Sequence, residues 1–345
     1  MCDEGHGFQR VAVGQIDGIL ASLKDHVQRG LAVVINGFGD PALEHLALGG
    51  GDGGQCQRIA CGIHKAAAED LIAVDKGQLH LLGLLLNSDE ETGSADSLRK
   101  LHFWGGQTDM IFVFEGGRKQ DQFVTQRKGC NKYEIRVSGI SAHAGTSPWK
   151  GANAIVQMGH LVTALDDLKN YNRGTSVNVG LISGGTALNV VPDSCTAQME
   201  VRYSDPKEMT RVKHAIDKLA KRPPKVEGTK VEFELLGSTQ LLREFAYTQK
   251  VMDKMRAYES QYRADLQELK DAGILAEDCP VYPVDFVAAG GLSDANRLAA
   301  CHVPVIDGCG PGGGNPHRPD EYLSIDTVLK RFVFFTGLLP WMKGM

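Results

Sequence analysis

A chain of 345 residues with 42% hydrophobic and 23% charged side chains is long enough for one large or two modest domains around a real core. Its formal charge of −5, from 37 Lys and Arg against 42 Asp and Glu, argues against a nucleic-acid footprint. The eight cysteines include no C-x-x-C pair, no apolar run reaches membrane-spanning length, and the acidic start Met1-Cys2-Asp3-Glu4 lacks the apolar core of a secretory signal; a reducing, cytoplasmic setting without membrane contact is the expectation.

In chain order, residues 1 to about 80 show few periodic segments and no Tyr or Trp. The glycine-rich Gly49 to Gly54 reads as a loop. From Leu84 the signals sharpen. The apolar Leu84-Leu85-Leu86 reads as a buried strand that ends in Asp89-Glu90-Glu91. Carboxylates just past a strand's carboxyl end sit where open α/β sheets bind ligands. One can hold a metal while its neighbour works as a general base. The same acids also suit a solvated turn capping a helix that begins near Ser94 or Asp96. Asp109 to Glu115 is a second apolar run ending in a carboxylate, and so a second buried strand.

The segment from about 130 to 237 reads as β-α-β-β-α-β, the ferredoxin-like split pattern. Its strands are Tyr133 to Gly139, Thr175 to Ile182, Cys195 to Tyr203 and Lys230 to Leu236. Its helices are Gly151 to Leu168 and Pro206 to Ala220, the latter announced by Ser204-Asp205 as cap with proline in the first turn. Afterwards come a charged helical stretch from Phe245 to Leu275 and strands at Val284 to Ala289 and Val303 to Ile306. A glycine loop from Gly308 to Gly314 then leads to His317, and an apolar helix covers Arg331 to Met342. The resulting fold class is α/β: a mostly parallel-sheet catalytic domain (1–83, a less readable segment; 84–129; 238–345) interrupted by an inserted α+β domain at 130–237.

Carboxylates ending two strands and a histidine after a glycine loop are the residue types of hydrolytic zinc. The motifs NSDEETGS, FE at 114–115, SGISAHAGTSPWKGANAI, SGGTALNVVPDSCTAQMEVR, GGLSDAN and GPGGGNPHRPDEY together resemble the zinc-dependent exopeptidase and deacylase family. That family includes glutamate carboxypeptidases, acetylornithine deacetylases, succinyl-diaminopimelate desuccinylases and aminoacylases. The glutamate carboxypeptidase branch is nearest, because Glu115 stands where other branches often carry Asp.

The resemblance implies a role for each matched residue. Glu90 would be the general base, Glu91 and His317 would ligate one zinc, and Glu115 the other. His143 would reach the partner subunit's active site to stabilise the oxyanion. Asn189 and Arg202 would contact substrate, and the inserted domain would pair two chains into a homodimer. The substrate would be a small peptide or N-acyl amino acid cleaved at an amide beside a free carboxylate.

The family's H-x-D strand end and its bridging Asp are missing from their expected places. Val13 to Gly18 carries Gln15 where the His belongs, and Asp52 in GGGDGG lacks the usual following residues. Two zinc ions per chain are therefore the family expectation, with one or none open for this chain. The abrupt change of character near residue 84 is what a shifted reading frame upstream would produce, and sequencing the encoding DNA tests this. The alternative function is a non-catalytic dimer that keeps the inserted domain.

Overall fold

The computed structural model describes residues 85–342. Leu84, the Gln15 and Asp52 candidates and the rest of the first segment lie outside the described residues. The expected strand at 84–86 is not formed over the part described: Leu86 stands 49% exposed. The reason is the pull on either side of it. Leu85 packs by its side chain on a small cluster of Leu101, Val113, Leu298 and Val305. Asn87 turns inward and donates to the buried Asp294 carboxylate. The chain therefore bends, and Glu90–Thr92 forms a single 3-10 turn closed by Gly93 at φ +96°, a conformation glycine adopts without strain.

Helix α1 (Leu98–Gly105) follows. Asp89 holds its start: the carboxylate accepts from the backbone N–H groups of Asp96 (2.8 Å) and Ser97 (3.2 Å) and from the Ser97 hydroxyl. The capping alternative thus holds for Asp89. Glu90 and Glu91 are left for other work.

Strand β1 (Ile111–Phe112) pairs in parallel with Val305–Ile306. The pairing continues beyond the strand, since Val113 N donates to Ile306 O and Gly310 N to Glu115 O, both at 2.8 Å. Strand β2 (Phe123–Arg127) pairs in parallel with Phe286–Ala289. Mutual backbone bonds between Val124 and Asp307, at 2.7 and 2.8 Å, join the two pairs. The run that ends in Ile306 is a buried strand, whereas the run that ends in Glu115 is half-buried, with Val113 alone fully inside.

The chain then enters an antiparallel sheet. Its elements are β3 (Gly129–Ser138), the short β4 (Ala142–His143), α2 (Ala154–Asp166), β5 (Ser176–Gly184), the short β6 (Val190–Val191), β7 (Ser194–Tyr203), α3 (Pro206–Lys221) and β8 (Lys230–Thr239). The main sheet has the order β5-β7-β3-β8, and β4 pairs with β6 beside it. Alternate residues of β3 (Tyr133, Ile135, Val137) and β7 (Cys195, Ala197, Met199, Val201) face the helices. The helices answer with Met158, Leu161 and Leu165 from α2 and Met209, Val212 and Ile216 from α3. The opposite face carries polar pairs such as Arg136 with Glu134 (2.7 Å). The caps are as the residues suggest: Asn153 accepts from Val156 N (3.0 Å) and Asp205 from Lys207 N (2.8 Å). Strand β8 runs on to Thr239, past a bulge that leaves Leu236 unpaired.

The charged stretch expected as one helix forms two, α4 (Ala246–Ala257) and α5 (Glu259–Asp271). The break falls at Tyr258, whose ring is buried against Phe334 and whose hydroxyl donates to Asp265 (2.9 Å). Strand β9 (Phe286–Ala289), helix α6 (Asp294–Leu298) and strand β10 (Val305–Ile306) complete the parallel layer. A hairpin of β11 (Gly313–Gly314) and β12 (Tyr322–Leu323) carries His317 at its tip. The final helix α7 (Ile325–Trp341) packs Phe334, Phe335 and Leu338 into a core with Phe123, Met255, Tyr262 and Leu266. It also buries Arg331, which lies over the Phe123 ring at 4.1 Å and donates to the carbonyls of Gly310 (3.1 Å), Gly308 (3.2 Å) and Asp121 (2.9 Å). The α/β architecture with an inserted ferredoxin-like sheet is thus the observed one.

Candidate active site

Four elements bring carboxylates and an imidazole together: the 90–92 turn, the end of the β1 segment, the hairpin at 313–323 and the start of α6. Burial pushes the Glu90 carboxyl up to about 8, and the charges of Glu115, Asp294 and Glu91 push the same way, against Arg127. Glu90 is therefore a carboxyl that keeps its proton near neutrality. Its neighbour Glu91 points outward, and its Oε2 lies 4.0 Å from His317 Nδ1, both side chains being largely exposed. His317 takes a left-handed backbone (φ +63°), and its N–H donates to Glu321 Oε2 at 3.2 Å. The Glu115 backbone is fixed by the Gly310 bond.

Zinc sets a strict condition on these donors. A catalytic zinc takes three protein ligands and leaves one position open. Among the described residues no group of three or more His, Cys, Asp and Glu is arranged to hold a metal. Glu91 and His317 make a pair, which would need at least one further donor to hold the ion.

The other sequence candidates stand on or beside the inserted sheet. His143 ends β4, exposed, and its Nδ1 accepts from the N–H groups of Gly145 and Thr146, each at 3.1 Å. An Nδ1 that accepts twice leaves the ring proton on Nε2, which is then a donor facing outward. Asn189 is adjacent: its carbonyl accepts from Ala144 N at 2.9 Å. Arg202 is already engaged. Its Nε and Nη2 fork onto Glu200 at 2.8 and 3.2 Å, and Nη1 donates to Gly290 O at 3.1 Å. The fork expected to meet a substrate carboxylate meets Glu200 instead.

Sequence reasoning missed the network behind the site. Asp294 is buried, accepts from Asn87 and Ser94, and is raised chiefly by its burial. Ser293 donates to Asp307 (2.6 Å), which pairs with Arg127 Nε (2.5 Å). Arg127 Nη1 donates to Gly291 O (2.9 Å). The motif GGLSDAN was legible as a motif. Its residues reach partners up to 207 positions away, and no local pattern reports such pairs.

Comparison with known proteins agrees with this architecture. Residues 125–227 match the family model M20_dimer, the peptidase dimerisation domain. Carboxypeptidase G2 of Pseudomonas sp. (strain RS-16) is 24% identical over 260 residues, covering 74% of this chain and 58% of that protein. A p-aminobenzoyl-glutamate hydrolase homolog of Haemophilus influenzae is 32% identical over 114 residues, covering 33% of this chain and 26% of that protein. The chain thus spans less than two thirds of the length of these relatives. Among solved structures, aminopeptidase PepT from Bacillus cereus shares the fold with a TM-score of 0.56 at 19% identity, over 75% of this chain and 63% of that one. The ordered motifs from NSDEETGS to GPGGGNPHRPDEY, the matched dimerisation domain and these relatives together make the chain similar to the M20 peptidases, with carboxypeptidase G2 among the proteins it resembles.

Proposed function

We propose that this chain is a hydrolase that cleaves an amide beside a free carboxylate, in an N-acyl amino acid or a peptide ending in glutamate. Glu90 would hand on the proton, taking it from the attacking water once the charge of a bound cation has ionised its carboxyl and returning it to the leaving amine. His143 steadies the oxyanion of the partner subunit's substrate through its Nε2–H. Glu91 and His317 would hold one zinc and Glu115 the other, and zinc would supply polarisation of the substrate carbonyl. Asn189 and Arg202 are assigned to substrate, Arg202 only once its fork leaves Glu200. The observation that carries the reading is the 4.0 Å approach of His317 Nδ1 to Glu91 Oε2, beside the desolvated Glu90. Incubation with zinc followed by metal analysis and assay on p-aminobenzoyl-glutamate tests it. Bound zinc, at about two ions per chain if the set is complete, is expected together with turnover. A chain that binds no zinc and turns nothing over overturns the proposal.

A second reading, a dimer without catalysis, is favoured by the occupied Arg202 fork and by the lack of a three-ligand group among the described residues. Both readings share the homodimer. The edge strand β5 leaves Leu181 (64%) and Ile182 (58%) exposed at the sheet margin, an apolar surface suited to a second copy. Leu181→Glu is expected to convert the dimer to monomer in light scattering; a dimer that persists at low micromolar concentration locates the interface elsewhere.

A further inference from the structure

The chain passes between the parallel layer and the four-stranded sheet twice. Strand β2 ends at Arg127 and β3 begins at Gly129, so Lys128 is the whole of the outward crossing. Strand β8 ends at Thr239, and the return crossing is Gln240 and Leu241, before Leu242 pairs again. Arg127 and Leu242 exchange backbone bonds (3.0 and 3.1 Å) on the parallel-layer side, and Cys130 faces Thr239 on the sheet side. Between these two ladders the carbonyls of Lys128 and Gln240 accept from one side chain. Asn296 Nδ2 donates to Lys128 O at 3.0 Å and to Gln240 O at 2.7 Å. Both hydrogens of the amide are therefore used. Its Oδ1 accepts from Ser293 N at 3.1 Å, which ties the amide to the start of α6. Asn296 is 1% exposed.

We propose that Asn296 is the positioning residue that pins both crossings, and so sets the angle at which the inserted α+β unit, with His143 on its β4–β6 ribbon, is held against the parallel layer beside the 90–92 turn. The placement is specific. At each crossing the backbone leaves one ladder before joining the next, and these are the points where a rotation of the sheet needs the least breakage. One planar amide spans both points, so neither strand turns without the other while its bonds hold. The same segment steadies the sheet at a third point, through Gly290 O and Arg202. The pin goes beyond the hydrolase reading and does not depend on it.

The test is a distance measurement on the whole chain. Nitroxide-bearing unnatural residues replace exposed Lys213 on α3 and Gln267 on α5, leaving the native cysteines untouched, and labelled chain is diluted with unlabelled chain. A control pair, Lys213 with Glu232, lies within the sheet unit. Asn296→Asp keeps the shape but turns a carboxylate on two carbonyls. The expected result is an inter-label distribution for 213–267 at least twofold broader than in the unsubstituted chain, with the 213–232 distribution unchanged. Asn296→Ser, a smaller side chain with a single hydroxyl donor, is expected to give intermediate broadening and serves alone if the Asp variant does not fold. A 213–267 distribution superimposable on the parent's overturns the proposal. So does equal broadening of both pairs, which would report general loosening. Neither readout uses turnover, so failure of the hydrolase reading leaves this result standing.

Discussion

On the proposed hydrolysis, Glu90→Gln is expected to lower turnover by roughly 10²–10⁴-fold, the contribution of a positioned proton carrier, with KM little changed. What glutamine keeps and what it loses decide the outcome. It keeps the volume and the half-buried position in the 90–92 turn, so the turn and the Asp89 cap survive. It loses the exchangeable carboxyl proton. The environment makes that loss count: desolvation and the charges of Glu115, Asp294 and Glu91 hold the carboxyl at about 8, near working pH, where a carrier both takes and returns protons efficiently. Steady-state kinetics on p-aminobenzoyl-glutamate with parallel metal analysis checks this. Full turnover in the glutamine variant, or loss of zinc in step with loss of rate, would assign Glu90 a different role.

The largest expected effect on stability is at Asp307. Its side chain and that of Arg127 are 0% and 1% exposed, and they meet at 2.5 Å. Asp307 also accepts from Ser293 Oγ at 2.6 Å and from Gly308 N at 2.5 Å. Arg127 Nη2 is buried and has no hydrogen-bond partner among the described residues. Removing the carboxylate thus leaves a guanidinium in the core with one carbonyl, Gly291 O, as its acceptor. Breaking one side of a buried pair costs about 3–5 kcal/mol. Asp307→Ala is expected to lose that amount in urea unfolding, and Asp307→Asn, which still accepts hydrogen bonds, less. The two changes Arg127→Met and Asp307→Ala together are expected to cost less than the sum of the single changes, because no uncompensated charge remains. A loss below about 1 kcal/mol for Asp307→Ala would mean that water reaches the pair and screens it.

The inserted sheet was legible because its signals are local. Alternation in β3 and β7, and the Asp205-Pro206 start of α3, are properties of neighbouring residues, and the ladder realises them nearly residue for residue. The parallel pairing of the run to Glu115 was legible for the same reason, although only Val113 of that run is buried. The three leucines before Asn87 misled, since a short apolar run does not say whether it extends or bends; the choice was made by Asn87 reaching Asp294, far along the chain. The acidic triplet was readable as chemistry but not as division of labour. That Asp89 caps a helix while Glu90 is desolvated depends on where Ser97, Glu115 and Arg127 come to lie. Arg202 was sorted by the chemistry of its fork, and the sequence carried no sign that Glu200, two residues earlier on the same strand, would occupy it.

The Arg331 side chain has a consequence for how the molecule comes to exist. It latches the backbone around Asp121, Gly308 and Gly310, and Gly310 in turn fixes Glu115. Asp121 is synthesised 210 residues before Arg331, but Gly308 and Gly310 only 23 and 21 residues before it. A nascent chain therefore has the whole inserted sheet available for folding before the latch exists, and the backbone that holds Glu115 gains its last support when the helix carrying Arg331 packs.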